Sequence, residues 1–442
     1  MDQSIRVAFH NLGCKVNSYE TEAMQAELKK RGFIEVPFDE KADVYVVNTC
    51  TVTNIADRKS RQMLHRAKSL NPEAAVVAAG CYVQAAGRDL LNDDAVDIII
   101  GNDRKHELPD LIEAWFESRK KQSALDDIGK NRSFEEMPAE CSEHTRAFLK
   151  IEDGCNQFCS YCLIPYVRGR VRSRTPEDVL QEAERLAEKG YSELVLTGIH
   201  ISSYGLDFEG DAALKGGYGA PLIDLLRKLD KVPGIRRIRL GSLEPRLITP
   251  ENAAALAGIK SLCPHFHLSL QSGCSKTLAR MNRKYTAEKF AEKAALLREV
   301  FDRPALTTDV IVGFPGETEE EFAETVAFLE KIRFYQTHIF KYSRRKGTAA
   351  DRMPGQLTEA EKAARSSVLQ ELNRKNKLLY AESFLGEKKE ILLETVKEEK
   401  DGPVWTGYTP EYLRVKVKLD DGMPGRYEPV TIDKSSLLLT EE

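Results

Sequence analysis

The chain has 442 residues, too many for one ordinary core and enough for two or three domains. With 42% hydrophobic and 30% charged residues it reads as a water-soluble protein, and it lacks the run of about 18 apolar residues that a membrane span needs. The net charge of -4 excludes a global pull toward nucleic acid, so any RNA contact must come from local basic patches.

The opening "MDQSIRVAFHNLG" has an early acid and no long apolar stretch, and does not read as a signal peptide. Nine cysteines in a chain read as cytoplasmic point to metal ligands or reactive thiols rather than a disulfide framework. From Ile5 to about Phe116, strand and helix patterns alternate. "IRVAF" precedes an amphipathic helix, "SYETEAMQAELKKRG", with Ser18 as expected N-cap. "DVYVVN", "AAVVAAG" and "VDIII" repeat the unit, which implies a parallel sheet covered by helices. Residues 118–144 are polar and aperiodic and read as a linker.

A second βα series starts at Arg146, with strands "RAFLKI", "SELVLTG", "IRRIRLGS", "HFHLSL", "ALTTDVIVG" and "THIFKYS". Six strands suit an open, partial barrel better than a closed eightfold one. After the helix through Leu378, four short strands separated by turn residues predict a small all-β, barrel-like module. The expected architecture is therefore α/β: an N-terminal parallel-sheet domain (1–117), a linker (118–144), a central partial (β/α)6 barrel (145–376) and the β-module (377–442).

Two cysteine triplets carry the chemistry. Cys155, Cys159 and Cys162 follow the first barrel strand, at the carboxyl end of the sheet where such folds place active sites. Zinc ribbons prefer paired C-x2-C units with four ligands; this C-x3-C-x2-C stretch offers three and no nearby histidine. Three thiolates suit a cubic iron–sulfur cluster whose fourth iron stays open. Cys14, Cys50 and Cys81 are far apart in sequence, yet each follows a strand of the first domain. One cysteine per βα turn, three times running, implies a second three-thiolate cluster. Cys141, Cys263 and Cys274 are read as unconnected to either site. His265 and His267, on one strand face, are assigned a structural role.

The C-x3-C-x2-C spacing, with Tyr161 before its last cysteine, resembles the radical S-adenosylmethionine enzymes, whose open iron chelates the methionine moiety of the cofactor. Both triplets, the partial barrel and the β-module together resemble the methylthiotransferases over almost the entire chain. "LGCKVNSYE", "NTCTVTNIADRKSRQ" and "GCNQFCSYCLIPYVRGRVRSR" are similar to the MtaB-type branch, which acts on tRNA carrying N6-threonylcarbamoyladenosine at position 37. The resemblance implies two [4Fe-4S] clusters, S-adenosylmethionine, an external electron donor, a TRAM-like RNA-binding module and a monomer acting on the anticodon loop. A reduced cluster at Cys155, Cys159 and Cys162 would cleave S-adenosylmethionine to a 5′-deoxyadenosyl radical. The second cluster would carry the sulfur that is methylated and placed on C2 of adenine.

The same resemblance implies that Thr197, Gly198, Glu244 and Gln271, which end barrel strands, meet the cofactor together with Tyr161. "VGFPGETEEEF" reads as a turn followed by a capping box of Thr318 and Glu321. Arg168, Arg170, Arg172 and Arg174 alternate strictly, so an extended backbone would set all four on one face bordering the cluster and suited to phosphate. The module from Tyr380 onward carries fourteen acidic and nine basic residues, a net −5, so its own phosphate contacts rest on a few cations such as Arg414, Lys416 and Lys418. The competing readings are modification of a different tRNA base or a protein side chain, and a non-catalytic iron–sulfur RNA-binding sensor.

Overall fold

The computed structural model describes residues 5–139, 144–208 and 217–439. Cys141 lies outside them. The first unit runs β1 (Arg6–Asn11), α1 (Lys15–Lys30), β2 (Ile34–Glu35), β3 (Val44–Thr49), α2 (Asn54–Leu70), β4 (Ala75–Gly80), α3 (Cys81–Ala86), β5 (Ile98–Ile100), α4 (Leu108–Ser118) and β6 (Gln122–Ala124). Its strands form one parallel sheet in the order β2-β1-β3-β4-β5-β6. β3 and β4 are buried along their whole length, which is why they read as unbroken apolar runs. Strand order reverses between β1 and β3, and such a switch point opens a crevice at the carboxyl ends of the strands.

Two sequence expectations change here. Helix α1 starts at Lys15, with Cys14 rather than Ser18 in the capping position; the Ser18 hydroxyl instead accepts from Asn11 Nδ2 at 2.9 Å. The stretch 118–144 also does more than link domains. Gln122–Ala124 forms the edge strand of the sheet, and Ile128, Met137 and Ala139 are buried. A three-residue edge strand with one buried side chain is too short to show a period.

The second unit comprises β7 (Ala147–Lys150), β8 (Glu152–Asp153), α5 (Ile164–Val167), β9 (Arg172–Ser173), α6 (Pro176–Glu188), β10 (Glu193–Thr197), α7 (Ala220–Leu229), β11 (Arg237–Leu240), α8 (Pro250–Ala257), β12 (His265–His267), α9 (Ser275–Arg280), α10 (Ala287–Val300), β13 (Ala305–Val312), α11 (Glu319–Ile332), β14 (Gln336–Lys341) and α12 (Glu359–Glu382). Parallel sheets β7-β10-β11 and β12-β13-β14 are joined by the bridges Ile238 to Leu262 and Leu243 to Leu268. The six strands thus form one open arc, the expected partial barrel. Thr175, Thr249, Thr286 and Thr318 cap helices on its outer face, and Thr318 with Glu321 completes the expected capping box.

The N-terminal domain touches both free edges of the arc. On the β7 side, Lys150 donates to Glu20 of α1 at 2.8 Å. On the β14 side, Arg345 donates to Thr51 Oγ1 and Asp57 Oδ2, each at 2.7 Å.

Helix α12 runs four residues past Leu378 and leads into the antiparallel sheet β15 (Lys388–Glu399), β16 (Gly402–Tyr408), β17 (Arg414–Lys418) and β18 (Tyr427–Thr431), ordered β17-β16-β15-β18. Its core, built on Phe384, Ile391, Leu393, Trp405 and Val415, continues onto Ala305 and Tyr335 of the barrel. Arg239 of β11 donates to the carbonyls of Thr409 and Pro410 while its Nε bonds buried Glu193 at 2.9 Å. The module is docked on the barrel by apolar burial and these bonds. Among the described residues, no helix is long and apolar enough to cross a membrane.

Candidate active site

The segment after β7 folds tightly around its cysteines. Gly154 adopts φ +83°, and a Cβ there would lie 2.0 Å from the Arg170 carbonyl oxygen, so only glycine fits. Backbone N–H groups point at sulfur: Gln157 N lies 3.5 Å from Cys155 Sγ and Ile164 N 3.4 Å from Cys162 Sγ. Arg283 Nη1 donates to Cys159 Sγ at 3.2 Å. Phe158, between two of the cysteines, holds φ +48°, a strained value for an aromatic residue, pinned by Asn282 Nδ2 on its carbonyl at 2.8 Å. Burial pushes the Cys155 and Cys162 thiols up to about 12. A bound cationic centre inverts that preference, and N–H donors on thiolate sulfur are what a cluster site requires. The three-thiol set therefore fits a [4Fe-4S] cluster with one open iron.

Around it lie buried polar atoms without partners among the described residues: Glu152 Oε1, His200 Nε2 and Glu244 Oε2. Burial raises the Glu152 carboxyl well above its ordinary value and lowers His200 to about 4. Glu152 Oε2 accepts from the His200 backbone N–H at 2.7 Å, and Arg246 Nε donates to Glu244 Oε1 at 2.5 Å. Orphaned polar atoms beside the cysteines suit a zwitterionic ligand such as S-adenosylmethionine. Thr197 ends β10 in this neighbourhood, and Gln271 holds φ +74° where β12 gives way to its loop. Tyr161 packs edge-on to Phe314 at 6.5 Å, on the apolar wall. At Gly198 a Cβ would sit 2.7 Å from Glu152 Oε2 and 2.9 Å from the Glu152 carbonyl oxygen. Gly198→Ala must therefore shift the Glu152 backbone, and is expected to slow S-adenosylmethionine cleavage by about ten- to a hundredfold in a 5′-deoxyadenosine assay. An unchanged rate would remove Gly198 from the cofactor wall.

The other three cysteines leave neighbouring strands at the switch point: Cys14 after β1, Cys50 after β3, and Cys81 as the first residue of α3. Cys14 is solvent-accessible, but from inside a cavity walled by protein. Burial pushes Cys50 up to about 11, with the neighbouring Cys81 and Cys14 thiols adding to the effect. One guanidinium organises the group. Arg168 Nε donates to Cys81 Sγ at 3.2 Å, and its Nη2 reaches Asn17 Oδ1 at 3.1 Å, which in turn accepts from Cys14 Sγ at 3.6 Å. Asn102 Nδ2 approaches Cys81 Sγ at 3.6 Å and bonds the Val167 carbonyl at 2.7 Å. The chain that leaves Cys162 thus carries Arg168 directly into the other triad.

That placement corrects the arginine reading. Arg168, Arg172 and Arg174 do not line an exposed face; their exposures are 0%, 2% and 2%. Arg168 pairs with Glu20 and Asp153, and Arg174 with Glu182 at 2.6 Å and Glu136 at 2.9 Å. Gly169, at φ +74°, breaks the extended run, and only Arg172–Ser173 is strand. The neutralising acids come from other elements, Glu20 from α1, Asp153 from β8 and Glu182 from α6, which local alternation does not reveal. Arg170 alone is exposed, its guanidinium 4.4 Å above the Phe158 ring. Arg283, Glu152, His200 and Asn102 carry no short motif in the sequence, and Asn17, within "LGCKVNSYE", shows its role only through its contacts with Arg168 and Cys14. Cys263 and Cys274 are buried in the barrel wall.

Cys14, Gly198, His267 and Arg414 all line one cavity of about 550 Å³ that joins the three units. His265 has the expected structural role: it is buried and stacks on Tyr412 at 4.6 Å. His267 is likewise held by hydrogen bonds: its Nε2 lies 3.2 Å from Asp309 Oδ2 and its Nδ1 3.0 Å from Thr307 Oγ1. The ligand atoms of His267, Asp309 and His338 lie within 4.8 Å of one another.

Two family models match: the radical SAM superfamily over residues 149–329 and the uncharacterized protein family UPF0004 over residues 6–101. Among solved structures, the radical S-adenosylmethionine methyltransferase TsrM from Kitasatospora setae, with cobalamin and a [4Fe-4S] cluster bound, shares the fold with TM-score 0.57 at 17% identity, covering 79% of this chain and 77% of that one. A relative from Bacillus subtilis (strain 168), named threonylcarbamoyladenosine tRNA methylthiotransferase MtaB, is 41% identical over 432 residues, 97% of this chain and 94% of its own length. One of the same name from Aquifex aeolicus is 39% identical, covering 90% and 94%. A tRNA-2-methylthio-N(6)-dimethylallyladenosine synthase from Pelotomaculum thermopropionicum is 34% identical, covering 96% and 94%. With identity of this level along nearly the whole length, and a three-thiol loop at the carboxyl end of a partial barrel, this chain belongs to the radical S-adenosylmethionine tRNA methylthiotransferase family, enzymes that depend on a [4Fe-4S] cluster and S-adenosylmethionine.

Proposed function

We propose that this enzyme methylthiolates C2 of N6-threonylcarbamoyladenosine at position 37, in the anticodon loop of tRNA, using two S-adenosylmethionine molecules, a second [4Fe-4S] cluster at Cys14, Cys50 and Cys81, and an external electron donor. The observation that carries the chemistry is the pair of three-thiol sites joined through Arg168. The base assignment is supported by full-length identity to relatives named for threonylcarbamoyladenosine.

When bound, the cofactors supply a 5′-deoxyadenosyl radical at one site and a transferable methylated sulfur at the other, chemistry that acid–base side chains cannot perform on an aromatic C–H. The chain does the rest. Arg283 and the Gln157 and Ile164 N–H groups donate to the first set of sulfurs, and Arg168 and Asn102 to the second. Glu152, His200 and Glu244, with their unpartnered atoms, would meet the cofactor's polar end, and Tyr161 with Phe314 would exclude water beside it.

A base in a single-stranded loop can be splayed out to reach such a site. At its rim, Arg170 lies over Phe158, and exposed Tyr166 meets the same ring edge-on at 5.6 Å. This cluster suits stacking on loop nucleotides beside a phosphate. Arg170→Gln is expected to flatten the salt dependence of tRNA binding, lowering the log–log slope by about 0.7 to 0.9; an unchanged slope would return Arg170 to a solvated surface role. In the acidic C-terminal module, Lys416 and Lys418 remain the candidates for backbone contact. Mass spectrometry of tRNA nucleosides tests the substrate assignment. A strain lacking the protein should lose 2-methylthio-N6-threonylcarbamoyladenosine and accumulate its precursor; an unaltered pair would refute the assignment.

A further inference from the structure

The shared cavity has a charge pattern that the methylthio chemistry does not use. Two cations from different domains face it: Lys15, beside Cys14, and Arg414, at the start of β17. Asp309 is the single carboxylate in the lining, and it is already engaged by His267 at 3.2 Å. The lining is therefore cationic on balance, although the C-terminal module that supplies Arg414 is acidic as a whole. A cationic cavity of about 550 Å³ holds an anion far better than an alkyl group, because an apolar tail would desolvate the cations without replacing their water.

The approach to Arg414 is a strained turn. Tyr412 holds φ +70°, costly for a bulky side chain. It is kept there between His265 and Tyr408, with both ring pairs at 4.6 Å, and by the Tyr335 hydroxyl donating to its carbonyl at 3.3 Å. Arg414 sits directly opposite Tyr408 in the strand register, at the foot of this stack. The turn thus builds a rigid wall and ends on a guanidinium, the side chain best matched to a planar carboxylate.

We propose that Arg414, in the cavity that Cys14 and Gly198 also line, binds the free carboxylate of the N6-substituent on the target adenosine and so selects a carboxylate-bearing base over an alkylated one. This rests on the threonylcarbamoyl reading above, since a threonylcarbamoyl group carries one carboxylate and a dimethylallyl group none. The C-terminal module then reads the base itself as well as the RNA that presents it.

The test uses the full-length, cluster-loaded enzyme with three anticodon stem-loops whose position 37 carries the threonylcarbamoyl acid, its neutral methyl ester, or a dimethylallyl group. Wild type should prefer the acid to the ester by about 10- to 100-fold in kcat/KM, the span of one charge-assisted hydrogen bond. Arg414→Gln should collapse that ratio to near one, and Arg414→Lys should keep part of it. If the Gln variant does not fold, the Lys variant makes the same comparison, with an intermediate ratio expected. A ratio in Arg414→Gln or Arg414→Lys equal to that of wild type would overturn Arg414 as the selector while leaving the substrate assignment intact. Wild type that converts the dimethylallyl loop and neither threonylcarbamoyl loop would overturn the assignment and this inference together.

Discussion

Cys50→Ala should still cleave S-adenosylmethionine but yield no methylthio product, whereas Cys159→Ala should yield neither. The two triads have separate donors: Arg283 for Cys159 and Arg168 with Asn102 for Cys81. Each should therefore assemble its cluster without the other, and iron content should fall by about half in either variant. Anaerobic assays of 5′-deoxyadenosine and of modified nucleoside, with iron analysis, measure all three quantities. Continued methylthiolation by Cys50→Ala would disprove the sulfur-carrier role of that triad. Absence of 5′-deoxyadenosine from the wild-type protein would favour the sensor reading instead.

The second large effect is expected at Arg168. Its side chain is fully buried and ties Glu20, Asp153, Asn17 and Cys81 into one network with Lys150 and Lys105. Burial alone would push the Glu20 carboxyl up, but Arg168, Lys105 and Lys150 outweigh it and hold the group well below its usual range. Arg168→Leu strands part of that negative charge between the N-terminal domain and the barrel, at a cost of about 3–5 kcal/mol. It also strips the sulfur of Cys81 of its strongest donor. The variant should show a large drop in thermal stability and lose the iron of the second site, while Arg170→Ala, on the exposed rim, should change stability by no more than about 0.5 kcal/mol. Equal stability of the two variants would mean that the network does not hold the domains together.

The same arginines show what a sequence discloses and what it hides. The triads were legible because their signals are local: a C-x3-C-x2-C loop after one strand, and one cysteine at the end of each of three apolar runs. The six barrel strands and the capping box at Thr318 were legible for a similar reason, since period and cap lie within a few residues. Arg168 and Arg174 were not, because their partners Glu20 and Glu182 sit on separate helices and only the packed fold makes them neighbours. Strict alternation implied an exposed face, and one glycine at φ +74° was enough to break it. Strand β6 was hidden by its brevity. The acidic composition of the C-terminal module likewise concealed that one of its arginines faces the cavity lined by Cys14 and Gly198.

Both triads are proposed to act together on C2 of N6-threonylcarbamoyladenosine. The most direct measurement is a single anaerobic reaction of the doubly cluster-loaded enzyme with reductant, S-adenosylmethionine and tRNA deuterated at C2 of that nucleoside, followed by mass spectrometry of nucleoside and cofactor products. The expected products are 2-methylthio-N6-threonylcarbamoyladenosine lacking the deuterium and 5′-deoxyadenosine that has gained it. Deuterium retained at C2, with 5′-deoxyadenosine formed but unlabelled, would contradict this proposal.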